Sequence, residues 1–355
     1  MVDRSKSGRV RCFRHSCRKP CEEHDRVLLQ VRFLPCPQGL IYIWYCKRKK
    51  YKISNLRALA IITVVLGHSI IIYSSSWNIM PTANESSLFD RLKWFINLYQ
   101  RELYFFISGF LFYKTVCKDV PYFKFIKGKV LRLLVPYLFF GLLWMLPIKI
   151  LLNIPSYRDY DISDILYRYV IGFDNGHLWF LYALFTIFVI LYAFNRVLIK
   201  RKWGALILIL CMFLMIKGIN INVFNVSSAV KYMFWFQLGY VVNSMTKQKY
   251  NILILSVICI VFLFLGRNMY VLSLLLVAFL YYVMPDKEFT LLTEIDKHSY
   301  GIYLLHSPLI YITYTYIPNV NPLVVVGINF FLWGTVAYLL TKYIKSFFLN
   351  KYLGI

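Results

Sequence analysis

Ile53–Tyr73 reads ISNLRALAIITVVLGHSIIIY, an apolar run interrupted by Arg57 and His68. At about 100° per residue the eleven steps between them close to within ~20° of three turns, so both side chains share one helix face, ~16 Å apart along the axis. An Arg-like charge costs ~2.5 kcal/mol or more at a bilayer centre, so such residues usually face a cavity. The stretch therefore reads as a membrane helix that offers a permanent cation and a titratable imidazole to one interior space. The plainer alternative is a snorkelling arginine and a buried histidine satisfied by a backbone carbonyl.

The rest of the chain has the same character. Hydrophobic residues make up 59% of the 355, aromatics 19%, and the mean hydropathy is +0.57. Apolar runs of membrane-spanning length at this composition predict an all-α, polytopic helix bundle of about ten transmembrane helices. The runs centre on Ile53–Tyr73, Trp94–Tyr113, Val130–Leu151, Leu178–Phe194, Gly204–Ile219, Val230–Val242, Ile252–Leu265, Met269–Met284, Tyr300–Tyr316 and Leu323–Leu340. The net charge of +25 could suggest a nucleic-acid partner, but the cations fall between apolar runs and leave no folded basic domain to hold a duplex.

The charge is instead topological. Lys47, Arg48, Lys49, Lys50 and Lys52 precede the first run; Lys114, Lys118, Lys124, Lys127 and Lys129 follow the second. Arg196, Lys200, Arg201 and Lys202 follow the fourth, Lys247 and Lys249 the sixth, and Lys342 and Lys345 close the tenth, while the alternate loops are poor in cations. By the positive-inside rule both termini are cytoplasmic, with Arg57 near the inner face and His68 toward the outer one.

Residues 1–48 do not follow this pattern, and 49–350 read as the membrane domain. The tail is basic and holds Cys12, Cys17, Cys21, Cys36 and Cys46 with His15 and His24. Its C-x4-C-x3-C spacing lacks the paired C-x2-C knuckles of zinc sites, so it reads as a disordered or wrongly extended start, with no metal expected. No secretory signal is present, and Cys117, Cys211 and Cys259 are isolated, which implies no disulfide framework.

Further polar residues fall inside apolar runs. Arg101 and Glu102 are adjacent, hence on different azimuths, and each is expected to find a partner on another helix; Glu102 pairing with Arg57 or Arg101 merely to hold the bundle is equally open. Ser108 precedes Gly109, a pair that more often means close helix packing than chemistry. Lys129 and Arg132, at i and i+3, suit phosphates of a donor or of lipid headgroups. Ser299, Tyr303 and His306 follow i, i+4, i+7 on one face, with His306 read as structural or substrate-positioning. His177 and Trp179 lie at an outer helix mouth, where an aromatic ring is an interfacial anchor or a platform for a sugar; Asp159, Asp161, Asp164 and Asp174 precede them as hydroxyl partners.

Five short motifs carry a resemblance. Arg57-Ala58-Leu59-Ala60 through His68, Leu103-Tyr104-Phe105-Phe106-Ile107-Ser108-Gly109-Phe110-Leu111, Lys129-x-x-Arg132-Leu133-x-x-Pro136-Tyr137, His177-Leu178-Trp179-Phe180-Leu181 and Ser299-Tyr300-Gly301-Ile302-Tyr303-Leu304-Leu305-His306 occur in this order between Lys50 and Lys345. Together they resemble the membrane-bound acyltransferase family 3, bacterial ten-helix proteins that O-acylate cell-surface glycans. The resemblance implies an enzyme of the bacterial plasma membrane that moves an acyl group, acetyl foremost, from cytoplasmic acyl-CoA to a hydroxyl of an extracytoplasmic or lipid-linked saccharide. No permanently bound cofactor is expected, and acetyl-CoA is a donor substrate.

The residues suit that chemistry. Arg57 binds phosphate oxygens bidentately and stays charged, while the unperturbed imidazole pKa of about 6.5 lets neutral His68 take a hydroxyl proton. A transporter or flippase of a polysaccharide precursor is the runner-up; no matching half or internal repeat of the kind such proteins carry is visible. A metal-diphosphate prenyl-type transfer would need Asp159, Asp161 and Asp164, which fall on the wrong side for a cytoplasmic donor.

Overall fold

The apolar run around Arg57 contains no proline, so nothing breaks its hydrogen-bond ladder, and in the computed structural model Lys50–Ile70 forms one helix, α1. The structure describes residues 50–74, 86–118, 120–198, 204–221, 223–245, 248–317 and 319–346. The tail with its cysteines and histidines, Lys200, Arg201, Lys202 and Lys247 lie outside these.

After α1 come α2 (Ser87–Asn97), α3 (Gln100–Val116), α4 (Tyr122–Leu151), α5 (Ile162–Ile171), α6 (Trp179–Leu198), α7 (Gly204–Lys217), α8 (Val226–Ser244), α9 (Gln248–Phe264), α10 (Asn268–Val283), α11 (Thr290–Tyr316) and α12 (Pro322–Lys345). Every regular element among the described residues is helical. Four helical stretches are long and apolar enough to cross a membrane: Tyr51–Tyr73, Tyr122–Leu151, Ile162–Asn195 and Pro322–Lys345. The third turns at Gly172 (φ 88°), so α6 is its continuous apolar part. The other expected spans correspond to shorter helices or, for Tyr300–Tyr316, to the apolar part of a helix that begins with polar turns.

One expected span is corrected. Trp94–Tyr113 is broken, because α2 is amphipathic and the chain turns between Asn97 and Gln100. Phe89, Lys93 and Ile96 face inward while Leu88, Trp94 and Phe95 are exposed. The turn is held by side chains: Gln100 Nε2 donates to Asn97 Oδ1 (2.9 Å), and Arg101 Nη2 to the Asn97 carbonyl (3.2 Å).

Two helix pairs position everything that follows. Arg57 on α1 meets Asp296 on α11, 239 residues later, and His68 meets His306, 238 residues later. The nearly constant offset means that α1 and α11 run in the same direction. The second pair is α3 with α8, and here glycine is required: a Cβ on Gly109 would lie 1.7 Å from the Phe236 carbonyl oxygen, and one on Gly239 1.9 Å from that of Phe106. Asn243 Nδ2 then bonds the Phe110 carbonyl (2.7 Å).

Aromatic residues fill the gaps between helices. Phe105 stacks on Tyr232 at 4.7 Å and Phe125 on Tyr192 at 3.8 Å. Outward faces stay apolar instead of turning polar: Leu253, Val257, Ile260 and Phe264 on α9 and Leu323, Phe331 and Leu339 on α12 are exposed. A water-facing helix would carry its polar stripe there.

Candidate active site

Between these pairs lies a cavity of about 480 Å³. Of the residues singled out by sequence, Arg57, His68, Arg101, Ser108, Lys129, Arg132, His177, Trp179, Ser299 and Tyr303 all line it. His306 and Glu102 do not reach the wall, but both are buried directly behind residues that do.

His306 determines which nitrogen of His68 is basic. Its Nδ1 lies 2.8 Å from the Ile302 carbonyl, which can only accept, so that nitrogen carries the proton. Neutral His306 therefore presents a bare Nε2, and His68 Nδ1, 2.8 Å away, donates to it. This leaves Nε2 of His68 as the nitrogen able to receive a proton. The Tyr314 hydroxyl, bonded to the carbonyls of His68 (3.0 Å) and Ser69 (2.9 Å), holds the backbone beneath the ring. Two partners thus fix one imidazole.

The third histidine is placed by a proline. Pro308 sits inside α11 and has no N–H for the carbonyl of residue 304, which its ring also crowds. His177 Nε2 donates to that Leu304 oxygen at 3.2 Å, and the Tyr303 hydroxyl bonds the His177 carbonyl in return. Trp144 Nε1 takes the next oxygen, Leu305, at 3.1 Å. A break in one helix is thereby filled by a side chain of α4 and one from the turn Gly176–Leu178 that leads into α6. The His177 ring ends 6.5 Å from that of His68 and 5.6 Å from that of His306, centroid to centroid.

The same device operates at the far end. Pro136 widens the preceding turn of α4, Val130–Leu134, into a π-turn, and the Arg132 carbonyl it cannot bond accepts the Tyr300 hydroxyl at 2.6 Å. This ties α4 to α11 and brings Lys129 and Arg132 to the cavity wall beside Ser299 and Tyr300. Lys129 Nζ lies 3.6 Å from the centre of the Phe188 ring, and neither cation is in an ion pair among the described residues.

Arg57 is held differently from either pairing open in the sequence. Its Nη2 bonds Asp296 Oδ2 at 2.8 Å, and the Ser54 hydroxyl bonds the same oxygen at 2.6 Å. Neither Asp296 nor Ser54 stood out in the sequence, because Asp296 lies in a polar stretch that reads as a solvent-facing helix start. Burial pushes the Asp296 carboxyl above its ordinary value, and the Arg57 guanidinium and Ser54 hydroxyl oppose that push. Arg57 Nε remains buried without a protein partner.

Glu102 is buried at the start of α3, close enough to Arg101 and Lys231 to interact electrostatically with both, and its Oε2 has no hydrogen-bond partner among the described residues. Ser108 is on the cavity wall one residue before the Gly109 crossing. Gln100, Tyr104 and Lys93 were not singled out by sequence. The first two line the cavity, and Lys93 Nζ bonds the Gly67 carbonyl (2.9 Å), next to His68. Burial, with Arg101 adding to it, pulls Lys93 down to about 8.

Among the described residues no cluster of His, Cys, Asp or Glu is placed to hold a metal ion. The arrangement offers a positioned base at one end of a passage and unneutralised cations at the other. No curated protein and no solved structure matches the chain. A family model described as "Acyltransferase domain" matches residues 50–344, from the first residue of α1 to the last turn of α12, and the chain belongs to acyltransferase family 3.

Proposed function

We propose that the protein is a membrane-embedded O-acyltransferase that uses acyl-CoA, acetyl-CoA foremost, to esterify a hydroxyl of an extracytoplasmic or lipid-linked cell-surface saccharide. The observation that carries this reading is the single cavity with Arg57, Lys129 and Arg132 at one end and the His68–His306 pair at the other. The ~16 Å helix rise from Arg57 to His68 is of the same order as an extended pantetheine arm. A donor held by its phosphates would present its thioester beside His68.

The chemistry then follows in order. His68 Nε2 takes the proton of the acceptor hydroxyl as its oxygen attacks the thioester carbonyl. His306 steadies the imidazolium through Nδ1–H, as the third member of a nucleophile–base–orienter set does. Collapse expels coenzyme A as its thiolate, which recovers the proton from His68, and the ester remains on the sugar. Trp179 and His177 position the acceptor ring; Ser108, Ser299 and Tyr303 supply hydrogen bonds along the passage.

About ten crossings and cytoplasmic termini in a bacterial plasma membrane fit this direction of transfer, since they put Arg57, Lys129 and Arg132 on the donor side. Lipid covers the apolar outer faces, and no nucleic acid takes part. The test is coenzyme A release from acetyl-CoA by purified protein in proteoliposomes, with and without saccharide. Saccharide-dependent release with a mass gain of one acyl group on the sugar is expected. Saccharide movement across the vesicle without thioester cleavage would overturn the reading in favour of transport.

A further inference from the structure

We propose that the acceptor is anionic, carrying a phosphate or carboxylate group that docks on Arg101 at the His68 end of the cavity; this rests on the acyl-transfer reading above. The cations already assigned to the donor lie at the opposite end. Around His68 stands a second set for which the donor leaves no work.

Arg101 lines the cavity with His68 and Gln100. Its only hydrogen bond among the described residues goes to a neutral oxygen, the Asn97 carbonyl, and its Nε is buried with no partner. Gln100 Oε1 is likewise buried and unpartnered. Unmade hydrogen bonds of buried groups are costly, more so when charged, so their concentration on a cavity wall marks where a polar ligand completes them.

The local charge gives the sign. Lys93 and Lys231 both lie close enough to Arg101 to interact electrostatically with it, and Glu102 is the one carboxylate among these groups. Three cations therefore face one carboxylate, and even with Glu102 set against one of them an excess of positive charge remains beside the cavity. Arg101 also lies 5.9 Å from the Tyr232 ring, on a rigid support contributed by α8. A guanidinium fixed in this way suits the forked oxygens of a phosphate or carboxylate better than a neutral hydroxyl. Lys231, exposed beside it, would draw the same ligand in from solution.

The test compares three sugars on the purified full chain: glucose, glucose 1-phosphate and glucuronate, with binding followed by tryptophan fluorescence and turnover by coenzyme A release. At least one acidic sugar is expected to bind about tenfold or more tighter than glucose, and which one does so separates phosphate from carboxylate. R101Q is expected to erase that preference and R101K to recover part of it. K231Q, a change at an exposed position, is expected to weaken the acidic sugar a few-fold and covers the case in which R101Q does not fold. Equal affinity for all three sugars, or a preference that survives R101Q and K231Q, would overturn the proposal. So would a preference abolished by R132Q instead, which would place the anion at the donor end. Acidic-sugar binding without coenzyme A release would leave the Arg101 site standing and remove the acyl-transfer reading.

Discussion

His68 Nδ1 and His306 Nε2 lie 2.8 Å apart, and the Ile302 carbonyl behind His306 decides which of the two rings donates. H68A is therefore expected to reduce acyl transfer by ~10²–10⁴-fold, the loss that follows removal of a positioned base. H306A, which removes only the orienting acceptor, is expected to cost ~10–100-fold, and H306Q less, because its amide oxygen can still accept. Single-turnover rates on proteins with matched thermal stability check the order. H306A equal to wild type would leave the contact without a catalytic role.

Asp296 positions Arg57 and, on the function proposed above, competes with the donor phosphates for it. D296N keeps the shape of the side chain and drops the charge, so weaker positioning and stronger phosphate attraction act in opposite directions. The expected result is a donor KM within a few-fold of wild type. R57K lacks the planar fork and is expected to raise donor KM by ~10-fold or more at unchanged charge. Initial rates against acetyl-CoA concentration separate these, and an unchanged KM in R57K would reduce Arg57 to an anchor.

The α3–α8 crossing gives a prediction about accumulation rather than rate. A Cβ at Gly109 meets the Phe236 backbone oxygen at 1.7 Å, and a carbonyl cannot swing aside as a side chain does. G109A is expected to fail to accumulate as folded protein. G128A, where nothing lies within 4 Å, is the matched control and is expected to behave as wild type. Size-exclusion profiles in detergent report both, and a monodisperse G109A peak at wild-type yield would contradict the crossing.

Lys93 gives a pH dependence. Burial lowers it to about 8 from the 10.5 of an unfolded lysine, so between those values the unfolded chain binds more protons than the folded one. Stability from this group therefore rises as pH increases from about 8 toward 10.5, and is flat below 8, where both states are protonated. Melting temperatures of wild type minus K93M are expected to increase over that window. A flat difference would mean that Lys93 keeps its proton in the folded state.

The sequence exposes groups that are out of place for their surroundings. Arg57, His68, Arg101 and His306 interrupt apolar runs, which is why they could be picked out one by one and why ten of the residues so chosen fall on one cavity wall. Asp296 and Lys93 lie in polar stretches, where a charge arouses no suspicion, and only the parallel packing of α1 with α11 or the bend at Asn97 shows their side chains turned inward. Hydropathy averaged over a window also could not see that bend: Trp94 and Phe95 raise the average whether they face the core or, as here, face outward. Prolines were visible in sequence, but which carbonyl each released mattered only once His177 and Tyr300 were seen to occupy them.

The 239 residues between Arg57 and Asp296 have a consequence for how the protein is made. At a synthesis rate of ~5–20 residues per second, the guanidinium emerges some ~12–48 s before its counter-ion exists. Through that interval α1 resides in the bilayer or its insertion machinery with an unmatched charge and no partner for His68. A nascent chain stopped between α10 and α11 contains His68, Arg57, Lys129 and Arg132, yet lacks Ser299, Tyr300 and Tyr303 of the cavity wall and the His306 acceptor that orients the imidazole. On the acyl-transfer reading proposed above, an incomplete product therefore holds a base that nothing orients, and the order of the chain itself delays completion of the site until α11 is made.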